Sequence, residues 1–222
     1  MLSYLANFKA SVERNKTLLP LTYRYKRIKR MRRIREAEKN EFPETLTLET
    51  TNLCNIACIK CPRADLTRPL GFMDYDFFKK VIDESLQYGK RRHIGMVMLG
   101  EATMHPRLID MVSYMHENDA AHDVTLNTNA LLLDEKMSEE LIRGGLDSIR
   151  FSIDASTSET YNLLMQRNRF ERFVNNIQGF LDVKKKLGAS TPKTIIRVTL
   201  SEENKDELED IRERWADQAD EF

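Results

Sequence analysis

Residues 45–63 read Thr45-Leu46-Thr47-Leu48-Glu49-Thr50-Thr51-Asn52-Leu53-Cys54-Asn55-Ile56-Ala57-Cys58-Ile59-Lys60-Cys61-Pro62-Arg63. The first five have the β-branched and apolar content of a strand, and a C-x3-C-x2-C loop follows at once. Downstream the same grammar recurs. Short apolar runs at residues 93–99, 123–127, 148–153 and 194–200 read as further strands. Amphipathic stretches at 75–87, 106–117, 138–144 and 159–187 read as helices; the first carries Phe77, Phe78, Val81, Ile82 and Leu86 on one side. Five βα units in succession predict an α/β fold with a parallel sheet covered by helices. Chemistry in such a sheet belongs to the loops after the strand carboxyl ends. Those loops begin at Thr50, Gly100, Thr128, Asp154 and Ser201.

The 222 residues suffice for one domain of ordinary core size. A hydrophobic share of 41% with 32% charged residues excludes a chain disordered throughout. No apolar run reaches the length needed to span a bilayer, and the N-terminus lacks the pattern of a secretory signal, so the expected location is the cytoplasm. Charge is unevenly placed although 35 Lys+Arg balance 35 Asp+Glu: residues 1–40 hold 12 basic and 3 acidic side chains, a net of +9, and the rest carries −9. Within that arm Leu21, Tyr25, Ile28, Met31 and Ile34 recur every three or four residues among arginines and lysines. The spacing predicts a basic amphipathic helix over 21–35, which either packs its apolar stripe on the body or contacts anionic lipid, nucleic acid or an acidic partner. At the other end residues 202–221, with ten acids and three bases, predict an acidic helix built on Leu208, Ile211 and Trp215. The economical division is a basic helical extension, 1–43, and a core, 44–222.

The chain's three cysteines are Cys54, Cys58 and Cys61. An odd cluster within eight residues is a poor disulfide framework and a good soft-metal site. Zinc would need a fourth ligand, from His93, His105, His116 or His122, because there is no second cysteine pair. A [4Fe-4S] cube held by three cysteines would instead keep one iron open. His105, before Pro106, belongs to a loop.

These residues carry a family resemblance. The C-x3-C-x2-C loop after a first strand resembles the signature of the radical S-adenosylmethionine (radical SAM) superfamily. Leu99-Gly100-Glu101-Ala102 stands where that family has Gly-Gly-Glu-Pro, followed by Met104-His105-Pro106. Thr128-Asn129-Ala130 is similar to its Thr-Asn-Gly turn, and Ser152-Ile153-Asp154 to its Ser-x-Asp strand end. Gly71-Phe72-Met73 and residues 161–167 also fit. The departures are Lys60 in a place usually large and apolar, Leu99, Ala102, and Ala130 for glycine.

The resemblance implies a partial TIM-like (β/α) barrel, with about five of the usual six βα units and a short C-terminal end that leaves the fifth strand's edge uncovered. It implies a [4Fe-4S] cluster on Cys54, Cys58 and Cys61 whose fourth iron takes the SAM amino and carboxylate groups. Glu101 would receive the methionine ammonium. Asn129, Ser152 and Asp154 would be further SAM contacts, and Arg167, or its rival Arg169, would meet the carboxylate. Reductive cleavage would yield a 5'-deoxyadenosyl radical that abstracts hydrogen from a sugar or cyclitol alcohol or a peptide, as in the SPASM and Twitch dehydrogenases and maturases. The electron would come from a donor such as flavodoxin or ferredoxin. Two readings from other classes are a zinc-stabilised nucleic-acid or membrane binding module, and an inactive, truncated relative acting as a scaffold.

Overall fold

The computed structural model describes residues 42–222 together with residues 28, 29 and 31, which are helical. The rest of the basic helix expected over 21–35 lies outside the described residues. The chain divides into two units, Met1–Glu44 and Thr45–Phe222, and the second holds the sheet.

Five strands, β1 (Thr45–Leu48), β2 (His93–Met96), β3 (Val124–Thr128), β4 (Ser148–Ser152) and β5 (Lys193–Arg197), pair in sequence order and all in parallel. An order without reversal has no switch point of the doubly wound kind. It is the order of a partial barrel, wound in one direction with its reactive loops at one rim. The connecting helices are α1 (Tyr75–Leu86), α2 (Leu108–Glu117), α3 (Glu135–Arg143), α4 (Ser158–Met165) and α5 (Phe170–Lys186), followed by α6 (Leu208–Trp215).

Register separates two faces. Leu48, Met96, Leu126 and Ile149 are aligned across four strands and buried, and Phe151 meets Phe180 of α5 edge-on at 5.5 Å. Phe78 and Ile82 of α1, Met111 and Met115 of α2, Leu141 of α3 and Ile177 of α5 complete this core. Burial of such side chains contributes about 1.5–3 kcal/mol each. The alternate residues, among them Thr47, Gly95, Thr125, Asn127, Arg150 and Arg197, lie on the opposite, inner face.

Caps set several helix starts. Asp74 accepts from the Phe77 amide at 2.8 Å, Asp134 from Met137 at 2.8 Å and Thr157 from Thr160 at 3.2 Å. The Asp134 cap is why α3 begins at Glu135 rather than at 138 as its apolar pattern predicts. Two strands are shorter than their apolar runs. After Met96 the Leu99 amide turns to the Glu49 carboxylate at 3.4 Å, and after Arg197 the Thr199 amide is taken by Asp154 at 2.6 Å. A side chain has displaced the ladder in each case, and Met98 and Leu200 are exposed.

The edge of β5, expected bare, carries the last residues of the chain. Asp220 and Glu221 amides donate to the Thr194 carbonyl (3.0 and 3.1 Å), Ile196 donates to Glu221 (2.8 Å), and Ile195 and Glu221 form a parallel bridge. The Asp220 carboxylate also accepts from the Thr194 amide and hydroxyl, both at 2.7 Å.

Candidate active site

The cysteine loop is tied at its base before it reaches the rim. Thr51 Oγ1 donates to the Gly71 carbonyl (2.7 Å), Asn52 exchanges bonds with Pro69 and Gly71 (2.9 and 2.8 Å), and the Met73 amide donates to Thr50 (2.7 Å). These bonds close residues 50–73 into a loop whose ends are joined. Farther out, the Ala57 and Ile59 amides donate to the Met165 and Leu164 carbonyls at 3.3 and 3.0 Å, so the loop caps the last turn of α4. Arg167 Nε and Arg63 donate to the Asn55 and Ile56 carbonyls, each at 3.0 Å.

Gly100 sets how closely the turn after β2 approaches this loop. A Cβ there would stand 1.9 Å from the Thr51 carbonyl oxygen and 2.9 Å from that of Leu53, so only glycine fits. The next residue uses that proximity, as the Glu101 amide donates to Leu53 at 2.8 Å. The Glu101 side chain is buried and joins two turns. Oε1 accepts from the Thr103 amide (3.2 Å), the Thr103 hydroxyl (2.6 Å) and the Thr128 hydroxyl (2.8 Å), and Oε2 from the Asn129 amide (2.7 Å). Burial raises its pKa despite these four donors. Two lone pairs per oxygen leave one acceptor direction on Oε2 for a further donor.

Asn129 continues the chain of contacts to sulfur. Its Nδ2 donates to Asn55 Oδ1 at 2.7 Å and lies 3.8 Å from Cys54 Sγ, while its Oδ1 accepts from the Leu131 amide at 3.1 Å. Cys58 Sγ contacts Met165 Sδ at 3.3 Å. The three thiols are free and half-buried. Burial pushes the Cys54 thiol up and Cys58 up to about 12, with charge on neighbouring cysteines adding to both, so the thiols feel one another. Among the described residues no three His, Cys, Asp or Glu side chains converge tightly enough to hold a single metal ion. Tetrahedral zinc at Zn–S of about 2.3 Å would need sulfurs within about 3.8 Å of each other. A cube spreads its cysteines more widely, so the donor set of three coupled thiols fits a cluster better.

Neither His105 nor His93 is free beside the loop as a fourth zinc ligand. Both ring nitrogens of His105 are engaged, Nε2 with the Met73 carbonyl and Nδ1 with the Arg107 amide, each at 3.0 Å. His93 begins β2, at the opposite end of the sheet, with Nδ1 2.7 Å from Asp123 Oδ2.

The remaining site residues expected from the sequence separate. Ser152 ends β4 on the inner face, half-buried. Asp154 Oδ1 holds the Thr199 amide (2.6 Å), and burial raises its pKa. Arg167 is exposed and bound to the loop backbone, which gives it a task in shaping the loop; Arg169 precedes α5 without capping it. Lys60 pairs with Glu203 at 2.6 Å, tying the cysteine loop to the loop after β5. The hydrogen bond from Lys60 holds the Glu203 carboxyl at about 2.

Sequence reasoning missed Asn55, Thr103, Thr128 and Met165, whose parts depend on neighbours up to 107 positions away.

Residues 48–214 match the Radical SAM superfamily. The chain is 28% identical over 166 residues to a tungsten-containing aldehyde ferredoxin oxidoreductase cofactor-modifying protein of Pyrococcus furiosus, covering 75% of this chain and 46% of that protein. It is 30% identical over 141 residues to a probable GTP 3',8-cyclase of Methanothermobacter thermautotrophicus, covering 63% and 44%. Among solved structures, Streptococcus suis SuiB bound to its precursor peptide SuiA superposes with a TM-score of 0.61 at 18% identity, covering 85% of this chain and 42% of that one. BtrN in complex with AdoMet and 2-DOIA gives 0.51 at 18% identity, covering 72% and 58%. The chain spans about half the length of the curated relatives it matches.

Proposed function

The chain belongs to the radical SAM superfamily, whose cofactors are a [4Fe-4S] cluster and SAM, and on that premise we propose that Cys54, Cys58 and Cys61 hold the cluster in a working enzyme. With both bound, the cluster would supply the electron for reductive cleavage of SAM, and a hydrogen atom would then be taken from the substrate. The protein's part is to place and shield. The open acceptor direction on Glu101 Oε2 suits the methionine ammonium, a charge-assisted hydrogen bond in a buried setting. Asn129 orients the Cys54 sulfur through its Nδ2. The Ser152 hydroxyl and the Asp154 carboxyl are assigned in this proposal to polar contacts with the SAM ribose or carboxylate, and Arg167 to the carboxylate. Burial keeps the Cys54 pKa raised, and the Ile56 backbone hydrogen bond and then Arg63 offset part of that rise.

The observation that carries this reading is the unbroken line from Glu101 through Asn129 to Cys54. Three separate loops contribute to it, and it ends on a sulfur with no disulfide partner. The substrate is proposed as a small polar metabolite or a peptide, handled in the manner of SPASM and Twitch dehydrogenases and maturases, with a flavodoxin or ferredoxin as electron donor. The resemblance to proteins named GTP 3',8-cyclase brings nucleotides within that class. Residues 44–222 are the core in this proposal and 1–43 a basic helical extension. No helix among the described residues is long and apolar enough to cross a membrane, in keeping with a cytoplasmic enzyme.

Anaerobic reconstitution with iron and sulfide tests the proposal. A brown protein that forms 5'-deoxyadenosine from SAM under dithionite, and loses both properties in Cys58→Ala, is the expected result. A colourless protein that leaves SAM intact would overturn it.

A further inference from the structure

The inner face of the sheet carries two arginines to which no carboxylate of the described residues is bonded. Arg150 is aligned with Asn127 on β3 and with Ile195 on β5, and Arg197 is aligned with Ser152 one step nearer the rim. Neither guanidinium makes a hydrogen bond or ion pair among the described residues. Arg150 Nε and Asn127 Oδ1 are moreover buried without any partner. The carboxylate that feels both arginines is Glu221, and it is engaged elsewhere: the Lys193 ammonium bonds it at 2.6 Å and holds its pKa down, with the charges of Arg197 and Arg150 as lesser causes. Asp123, lower on the same face, is likewise saturated by His93, Thr125 and Ser148.

Glu221 acts on these charges only through space, and the buried Arg150 donor left unmade costs free energy. A ligand bearing an anionic oxygen group would pair the cations and fill that donor. Guanidinium forks suit phosphate and carboxylate because their N–H groups match two oxygens in a plane. Position says which ligand it is. Arg150 lies two residues below Ser152 at the end of β4, about 7 Å deeper than the residues proposed to hold SAM, while Arg197 is level with Ser152. A group bound between them at the depth of Arg150 belongs to the molecule that the radical attacks.

We propose that Arg150 and Arg197, with Asn127 Nδ2 as a further donor, bind an oxyanionic group of the substrate, phosphate or carboxylate, on the inner face of the partial barrel. The proposal rests on the radical SAM reading only in naming the bound molecule as substrate; the anion site itself stands on the geometry of the face.

Calorimetric titration of the reconstituted full chain with inorganic pyrophosphate, and separately with succinate, tests it. Saturable binding of at least one is expected, weakened roughly 10- to 100-fold in Arg150→Gln and in Arg197→Gln, with SAM affinity retained. Arg150→Lys, which keeps the charge and loses the fork, should fall between. Binding of pyrophosphate alone identifies a phosphate-bearing substrate, and of succinate alone a carboxylate. If Arg150→Gln fails to fold, the exposed Arg197→Gln carries the test. Absence of saturable binding, binding unchanged in the variants, or lost SAM affinity would each overturn the proposal, the last by assigning the arginines to SAM. A wild-type protein that binds pyrophosphate yet never cleaves SAM would sink the enzymatic reading and leave the anion site standing.

Discussion

The two ends of the sheet each carry a polar cluster around one carboxylate, and they are built differently. At the amino end Asp123 sits among His93, Thr125 and Ser148, all within 2.6–2.9 Å and all on strands or next to them. These hydrogen bonds outweigh burial and keep the Asp123 pKa low. At the carboxyl end Glu101 is more deeply buried, its pKa is raised, and its partners lie on turns that reach the cysteine loop. The first cluster closes on itself and braces adjacent strands. The second is coupled through Asn129 to the Cys54 sulfur and keeps an acceptor direction open. In a parallel barrel the amino end serves stability and the carboxyl end chemistry, and the two clusters differ in the sense that rule predicts.

The sharpest break in this comparison is Gly100→Ala. Its methyl group would overlap the Thr51 carbonyl, so a loss of about 3 kcal/mol in denaturant unfolding is expected, together with loss of iron uptake. Next come paired substitutions, one at each end. Glu101→Gln sets an amide NH2 against the Asn129 amide or leaves that donor unpaired, costing about 1–3 kcal/mol and lowering 5'-deoxyadenosine yield per cluster. Asp123→Asn should cost about 1–2 kcal/mol by thermal melting and leave the yield per cluster unchanged. Equal effects of the pair on yield would erase the distinction.

A smaller effect concerns the strip beside β5. Burial alone would raise the Asp220 pKa, but Lys184 and Thr194 hold it at about 2. A depressed carboxylate stabilises the fold above its unfolded pKa of about 3.9, and that contribution disappears as pH falls toward 2. Melting temperature should therefore fall less between pH 5 and 3 in Asp220→Asn than in the wild type. The smallest concerns Ala130, held at φ 61° and fully buried in the turn after β3. Ala130→Gly relieves left-handed strain of about 1–2 kcal/mol and gives up methyl burial of about 0.8 kcal/mol. A melting change of no more than a few degrees, on the stabilising side, is expected.

Much of the architecture could be read from residue order. Buried parallel strands appear as apolar runs, and amphipathic helices between them leave few topologies. The cysteine spacing placed a soft-metal loop after β1. Strand ends were less legible, because at Leu99 and Thr199 a side chain from another segment intercepts the amide. The occupied edge of β5 was hidden for a similar reason, since the acidic tail's charge conceals its backbone pairing with Thr194 and Ile196.

Local sequence by itself determined the alternation of strands and helices and a cysteine cluster suited to a soft metal centre. These follow from periodicity and ligand chemistry over a few residues. Tertiary structure alone decided that Gly100 lets the turn after β2 touch the cysteine loop and that Glu101 bonds across to Asn129. It also decided that Arg150 and Arg197 share the inner face with no carboxylate of the described residues bonded to them. Each depends on groups that the chain brings together only when the sheet forms, and whether a buried polar group is satisfied is a property of that assembly, not of residue type.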